Sequence, residues 1–170
     1  QERTKRIEPH CIVPVRAQRL QRKLSFVQRS LDRKKNSIRM LLVMNIVQQL
    51  TIGVSNHPGS LAHVSDTLRR SGVNIDAVSC TEGKHETLLH VVVDDPVIGK
   101  MALTTLGNVT ETPIIAYRVK NKPGAIADLA RKCAGAQISI LKIYATSLGK
   151  EAMCYLEVDD LSKASKALKK

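Results

Sequence analysis

Two short stretches of this chain carry the residue types that a small charged ligand needs. Asn56-His57-Pro58-Gly59 and Asn121-Lys122-Pro123-Gly124 share an amide side chain, a proline and a glycine in the same order. Proline fixes φ and is tolerated in a first helical turn, while glycine permits a tight turn that leaves backbone amides open where a helix begins. The positive end of the helix dipole lies there, which suits an anion such as an α-carboxylate. An asparagine amide both donates and accepts, as a zwitterionic ligand requires. The candidate ligand-binding residues are therefore Asn56, His57, Pro58, Gly59, Asn121 and Gly124. Asn74 joins them: it opens the strand beyond the first helix and can complete a clamp from a partner unit. Plain structural uses compete with these roles. A turn asparagine often bonds only its own backbone, and the glycines can serve close helix–sheet packing.

Nothing in the chain adds chemistry to binding. There is no Ser/His/Asp or Cys/His signature, no Walker loop and no dinucleotide fingerprint. Asp94-Asp95 and Asp159-Asp160 are adjacent in sequence, so along a strand they would point to opposite faces. They read as helix caps rather than as an acid/base pair. The four cysteines, Cys11, Cys80, Cys133 and Cys154, lack metal-ligand spacing. Cys80 and Cys154 sit in apolar, strand-like runs as small buried hydrophobes, reduced as in a cytoplasmic protein. The expectation is a non-enzyme with no cofactor and no metal.

The elements that position the two turns are themselves duplicated. Val93-Asp94-Asp95 recurs as Val158-Asp159-Asp160 at the 65-residue offset that relates the turns. The same shift maps Ile52, Ile75, Thr81 and Leu103 onto Tyr117, Ile140, Thr146 and Leu168 without a gap. That period is too long for a solenoid repeat and fits a small domain duplicated whole. The first unit, residues 45–112, opens with a strand carrying Leu50, Ile52 and Val54 on one face. A helix with Leu61, Val64 and Leu68 follows and ends near Ser71-Gly72. Strands at Val73–Cys80 and Thr87–Asp94, a helix begun by Asp95-Pro96, and a short strand near Val109–Thr112 complete a βαββαβ order, the ferredoxin-like arrangement.

The second unit, residues 113–170, repeats strand, helix, strand, strand and helix, with no fourth strand. Its vacant edge calls for further chain or for a neighbouring chain. In the first unit His90, with Leu88 and Val92 beside it, forms a second apolar sheet face opposite Leu89, Val91 and Val93. Such a face should not be left in water, which points to a sheet–sheet contact and a homodimer. His63 and His85 read as surface residues.

Charge does not belong to the repeat. The net charge is +12, yet residues 1–43 hold twelve lysines and arginines against three carboxylates, leaving fifteen against twelve in the remainder. Within that basic extension Leu20, Leu24, Val27 and Leu31 form a helical stripe over residues 16–35. It reads as an arm for nucleic acid or acidic lipid, as a transit peptide, or as an extension that is disordered or not part of the natural product. No run approaches the ~20 apolar residues of a membrane span.

Taken together, the Asn-x-Pro-Gly turn, the Gly72-Val73-Asn74-Ile75 strand start and the Val-Asp-Asp-Pro helix start resemble the ACT domain, a regulatory module of amino-acid metabolism. The duplicated form is similar to the stand-alone tandem ACT proteins of prokaryotes. The resemblance implies two ACT units, the last strand of one running into the first strand of the next. It implies a non-catalytic sensor that binds an amino acid between ACT units and modulates a partner enzyme or regulator. ACT domains of the serine-regulated type carry ligand-contacting asparagines at the positions of Asn56 and Asn74. In the second unit Ser139 replaces Asn74 and Lys122 replaces His57, so that unit departs from the pattern. Two alternatives stand beside the sensor. One is a ligand-free oligomerisation module. The other is nucleic-acid binding through the basic arm or the sheet, where Tyr117 and Tyr155 fall on the strands that RNA-recognition modules use for base stacking.

Overall fold

The computed structural model describes residues 43–83 and 86–169, with only the backbone described for Leu148. The basic extension, including its 16–35 stripe and Cys11, lies outside the described residues, as does His85.

Alternating apolar residues and long β-branched runs build six strands, and four amphipathic helices cover one side of them. In order these are β1 (Met44–Val54), α1 (Ser60–Arg70), β2 (Ile75–Glu82), β3 (Thr87–Val93), α2 (Pro96–Thr104), β4 (Val109–Lys120), α3 (Ala125–Gly135), β5 (Ile140–Leu148), β6 (Glu151–Val158) and α4 (Leu161–Leu168). All strands join one antiparallel sheet in the order β2-β3-β1-β4-β6-β5. The boundary read at 112/113 falls inside β4, which carries the last strand of the first unit straight into the first strand of the second.

β1 serves both units. Its residues Gln49–Ile52 pair with Val109–Thr112, closing the first unit, while Met44–Val47 pair with Ile114–Tyr117 further along β4. The 65-residue shift carries Gln49–Ile52 onto Ile114–Tyr117. Met44–Val47 thus take the place in the second unit that Val109–Thr112 take in the first. The vacant edge is filled from within the chain by its own first strand, and no neighbouring chain is required.

Each unit has its own core on the helix side. Leu50, Ile52, Val64, Leu68, Leu89, Val91 and Leu103 make the first. Ile115, Tyr117, Leu129, Cys133, Cys154, Leu156, Ala164 and Leu168 make the second. Gly99 is small for a packing reason, since a Cβ there would lie 3.0 Å from Val93 Cγ2 and 3.2 Å from Leu50 Cδ1. Its counterpart Ala164 is fully buried.

The opposite face corrects the expectation of an exposed surface for dimerisation. Val92, Ile114, Ala116 and Tyr155 form a third cluster there, joined by Val47, Ala77, Tyr144 and Met153. The sheet curls until its own residues cover this face, and His90 is only 5% exposed. Tyr117 and Tyr155 are likewise buried, at 7% and 6% exposure, and Tyr155 stacks on Tyr144 with ring centroids 5.3 Å apart. Neither ring is free to stack a base, which removes the sheet as a nucleic-acid surface. Cys80 also departs from expectation. It is exposed on the edge strand β2, whereas Cys154, on the interior strand β6, is buried.

Candidate functional site

Both motif turns fold the same way, and the reason is local. Ser60 N–H donates to the His57 carbonyl at 3.3 Å, and Ala125 N–H to that of Lys122 at 3.2 Å. Gly59 and Gly124 adopt φ of 98° and 87° with ψ near zero. Pro at the second position and Gly at the third make each a type II turn. The prolines therefore stand just outside the helices rather than in their first turns. A Cβ added at either glycine meets nothing within 4 Å. The glycines serve the left-handed backbone, not close packing.

No side chain caps α1 or α3. Their first free amides remain open to an incoming acceptor. Asn56 Nδ2 donates to Glu82 Oε1 at 3.1 Å, and Asn121 Nδ2 to the Gly149 carbonyl at 2.9 Å. In both units the asparagine latches the turn to the hairpin beyond it, with its carbonyl oxygen left over. His57 turns back on its own loop, with Nδ1 3.1 Å from the Pro58 carbonyl oxygen and 3.3 Å from Ser60 Oγ.

Asn74 lies elsewhere. The eleven-residue helix α1 separates it from Asn56, about 16 Å at 1.5 Å per residue. It lines an open depression of about 330 Å³ with Ser65, Arg69, Gly72, Val73 and Ile75. Its Nδ2 donates to Asp76 Oδ1 at 3.3 Å, and its N–H to Asp94 Oδ1 at 2.9 Å. One copy of the chain does not bring Asn56 and Asn74 together.

The repeated carboxylates have structural duties. Asp95 and Asp160 cap α2 and α4, accepting from Ile98 N–H and Lys163 N–H. Asp94 and Asp159 accept from the N–H groups of Asn74 and Ser139, which hold the starts of β2 and β5. Desolvation would raise the pKa of Asp159, but bonds from Ser139 and the Asp160 amide outweigh it and hold the carboxyl below its ordinary value.

A polar seam on the curled face was not anticipated. Thr51 Oγ1 lies 2.9 Å and Lys142 Nζ 3.3 Å from His90 Nδ1; Thr81 Oγ1 lies 3.3 Å and Lys142 Nζ 2.9 Å from Nε2. Lys142 also lies 3.5 Å from Glu157, Gln49 Nε2 donates to Glu157 at 3.3 Å, and Tyr144 OH donates to Gln49 Oε1 at 3.0 Å. Desolvation and the neighbouring Lys142 lower the pKa of His90, against a smaller opposing pull from Glu157. The signal was a row of polar residues in otherwise apolar strands. No group of three or more metal-ligating side chains occurs among the described residues.

A family model for the ACT domain pair matches residues 44–169. The chain belongs to the ACT-domain-pair family. Solved structures with this fold include protein BT0572 from Bacteroides thetaiotaomicron, at 23% identity and a TM-score of 0.70, covering 75% of this chain and 90% of that one. The ligand-free regulatory subunit of aspartate kinase from Thermus thermophilus superposes with a TM-score of 0.59 at 18% identity, covering 74% and 90%. The aspartate kinase of Clostridium acetobutylicum gives 0.51 at 12% identity, covering 74% of this chain and 33% of the enzyme. No curated protein sequence matches. In this ACT pair the turn before the first helix of each unit stands open, with no side chain capping the helix.

Proposed function

We propose that this ACT pair is a non-catalytic cytoplasmic sensor that binds an amino acid at the Asn56 turn. The observation that carries the reading is the turn itself: a type II bend held by Pro58 and Gly59, an uncapped helix behind it, and an asparagine oxygen left over from the latch to Glu82. The open amides of α1 suit the ligand's carboxylate, and Asn56 Oδ1 suits its ammonium group. His57 borders the same loop. Asn74, at the far end of α1, completes the clamp from a second copy. An isologous contact that lays α1 antiparallel to its mate brings each Asn56 toward the mate's Asn74. A ligand that holds two copies together biases one assembly over another, and through it a partner enzyme or regulator.

Thermal unfolding against the twenty amino acids at millimolar concentration tests this. A ligand about 100-fold above its Kd should stabilise the protein by about 2.7 kcal/mol. The shift should vanish in Asn56→Ala. No shift with any amino acid, from protein shown to be folded, would favour a ligand-free oligomerisation module.

A further inference from the structure

The second unit places a cleft of about 180 Å³ beside its motif turn, between β4 and α3, lined in part by Tyr117, Val119, Lys122, Ala125, Leu129 and Lys132. Its walls are cationic. Arg118 and Lys120 contribute to the rim, with Asp128 the one carboxylate in the lining. Asp128 is bound by Arg131 and Arg118 by Glu151, so these charges are already compensated. Lys122 and Lys132 make no ion pair among the described residues. Lys132 Nζ has only the Tyr117 hydroxyl at 3.4 Å, with the Tyr117 ring centroid 5.9 Å away.

The 65-residue shift gives the matching surface of the first unit. Lys122 corresponds to His57, Lys132 to Thr67, Lys120 to Ser55, Arg118 to Gly53 and Tyr117 to Ile52. Every lining cation thus stands where the first unit has no lysine or arginine. Uncompensated like charges around a cleft repel one another, and a bound anion relieves that repulsion. Tyr117 adds a hydroxyl that can donate once Lys132 turns to a ligand.

We propose that the cleft at Lys122 and Lys132 is a second site that takes a small, multiply charged anion, a phosphate group or a dicarboxylate, and has no need of an ammonium group. The proposal refines the function above, resting on its reading of the motif turns as ligand sites, and gives the two turns different ligands. Lys122 and Lys132 hold the anion with charge-assisted bonds, while the turn of the first unit accepts a zwitterion.

The test is calorimetric titration of the full chain with inorganic pyrophosphate and with succinate, at fixed ionic strength. Lys122→Ala/Lys132→Ala should weaken binding of whichever anion fits by tenfold or more, the loss expected for charge-assisted bonds. Arg70→Ala/Lys100→Ala removes the same charge from the first unit and should change nothing. Which of the two probes binds separates a phosphate site from a dicarboxylate site. Equal weakening by both double variants, or binding indifferent to either, would overturn the proposal in favour of diffuse attraction to the basic chain. No binding of either probe would also overturn it. The amino-acid response lost in Asn56→Ala should persist in Lys122→Ala/Lys132→Ala, so failure of one site is distinguishable from failure of the other.

Discussion

The two units share their backbone restraints and differ in what they show to a ligand. Each has a type II turn with a left-handed glycine, an asparagine latch to the hairpin, an aspartate on the N–H that opens its second strand, and a second aspartate capping its second helix. Around that common frame His90 becomes Tyr155, His57 becomes Lys122, and the exposed Val97, Ile98 and Met101 of α2 become Ser162, Lys163 and Lys166 of α4. What fixes φ and ψ in the motif turns, and what holds the strand starts, is kept in both copies. Side chains that touch solvent or the curled face have diverged. A duplicated domain can therefore keep one fold while offering two surfaces.

The strongest challenge to this picture of two units is their shared β1. If they unfold as one body, damage to the first must be felt in the second. All three tyrosines lie in the second unit and the chain has no tryptophan, so tyrosine fluorescence arises from that unit, and the Tyr117 ring within its core reads its own packing. Leu68→Ala, in the first core, should cost about 2–5 kcal/mol. Its urea midpoint should fall equally by far-ultraviolet dichroism and by tyrosine emission. A tyrosine transition left in place would show two independent halves.

A smaller effect sharpens the comparison at the ends of α1 and α3. Both helices finish in Schellman motifs, with Val73 N–H bonded to Leu68 O and Ile138 N–H to Cys133 O. The first unit puts Gly72 at the left-handed position, with φ 73°. The second puts Gln137 there, with φ 53°, the one positive-φ residue other than glycine among those described. A side chain in that conformation costs about 1–2 kcal/mol, against about 0.5–1 kcal/mol of extra chain entropy lost by glycine. Gln137→Gly should raise stability by about 0.5 kcal/mol, and Gly72→Ala should lower it by about 1 kcal/mol, both read from urea midpoints.

The subtlest contrast is in pH response. Buried His90 has a lowered pKa, and Thr51, Thr81, Lys142 and Glu157 face it from four other strands. The unfolded chain binds this proton more readily than the folded one. Its stabilising contribution is complete above the ordinary value of 6.5 and declines as pH falls from there toward the folded pKa. Tyr155, the matching residue, is pushed up to about 12 by desolvation first and then by Asp76, and so stays neutral. His90→Gln should flatten the stability profile just below pH 6.5, and an unchanged slope would assign it to other groups.

The sequence made the local features readable. The turns, the helix caps at Asp95 and Asp160, and the core stripe of Leu50 and Ile52 depend on spacing within about a dozen residues, and the repeat showed each of them twice. Long-range closure was not readable. Nothing near Met44 announces that it will lie against Tyr117, and nothing near His90 announces Lys142, which comes 52 residues later. The first follows from the length of β1 and β4, whose pairing runs on through both units; the second follows from the curl of the whole sheet, a property of twist summed over six strands rather than of any one pattern. Of the candidate site, the turn was legible, whereas the separation of Asn56 from Asn74 required the helix between them.

The use of Met44–Val47 as the closing strand of the second unit has a consequence for biosynthesis. This segment leaves the ribosome first among the strands, and its partner Ile114–Tyr117 follows about 70 residues later. At roughly 5–20 residues per second the wait is about 4–14 s. Through that interval the nascent protein carries half of β1 as an unpaired ribbon.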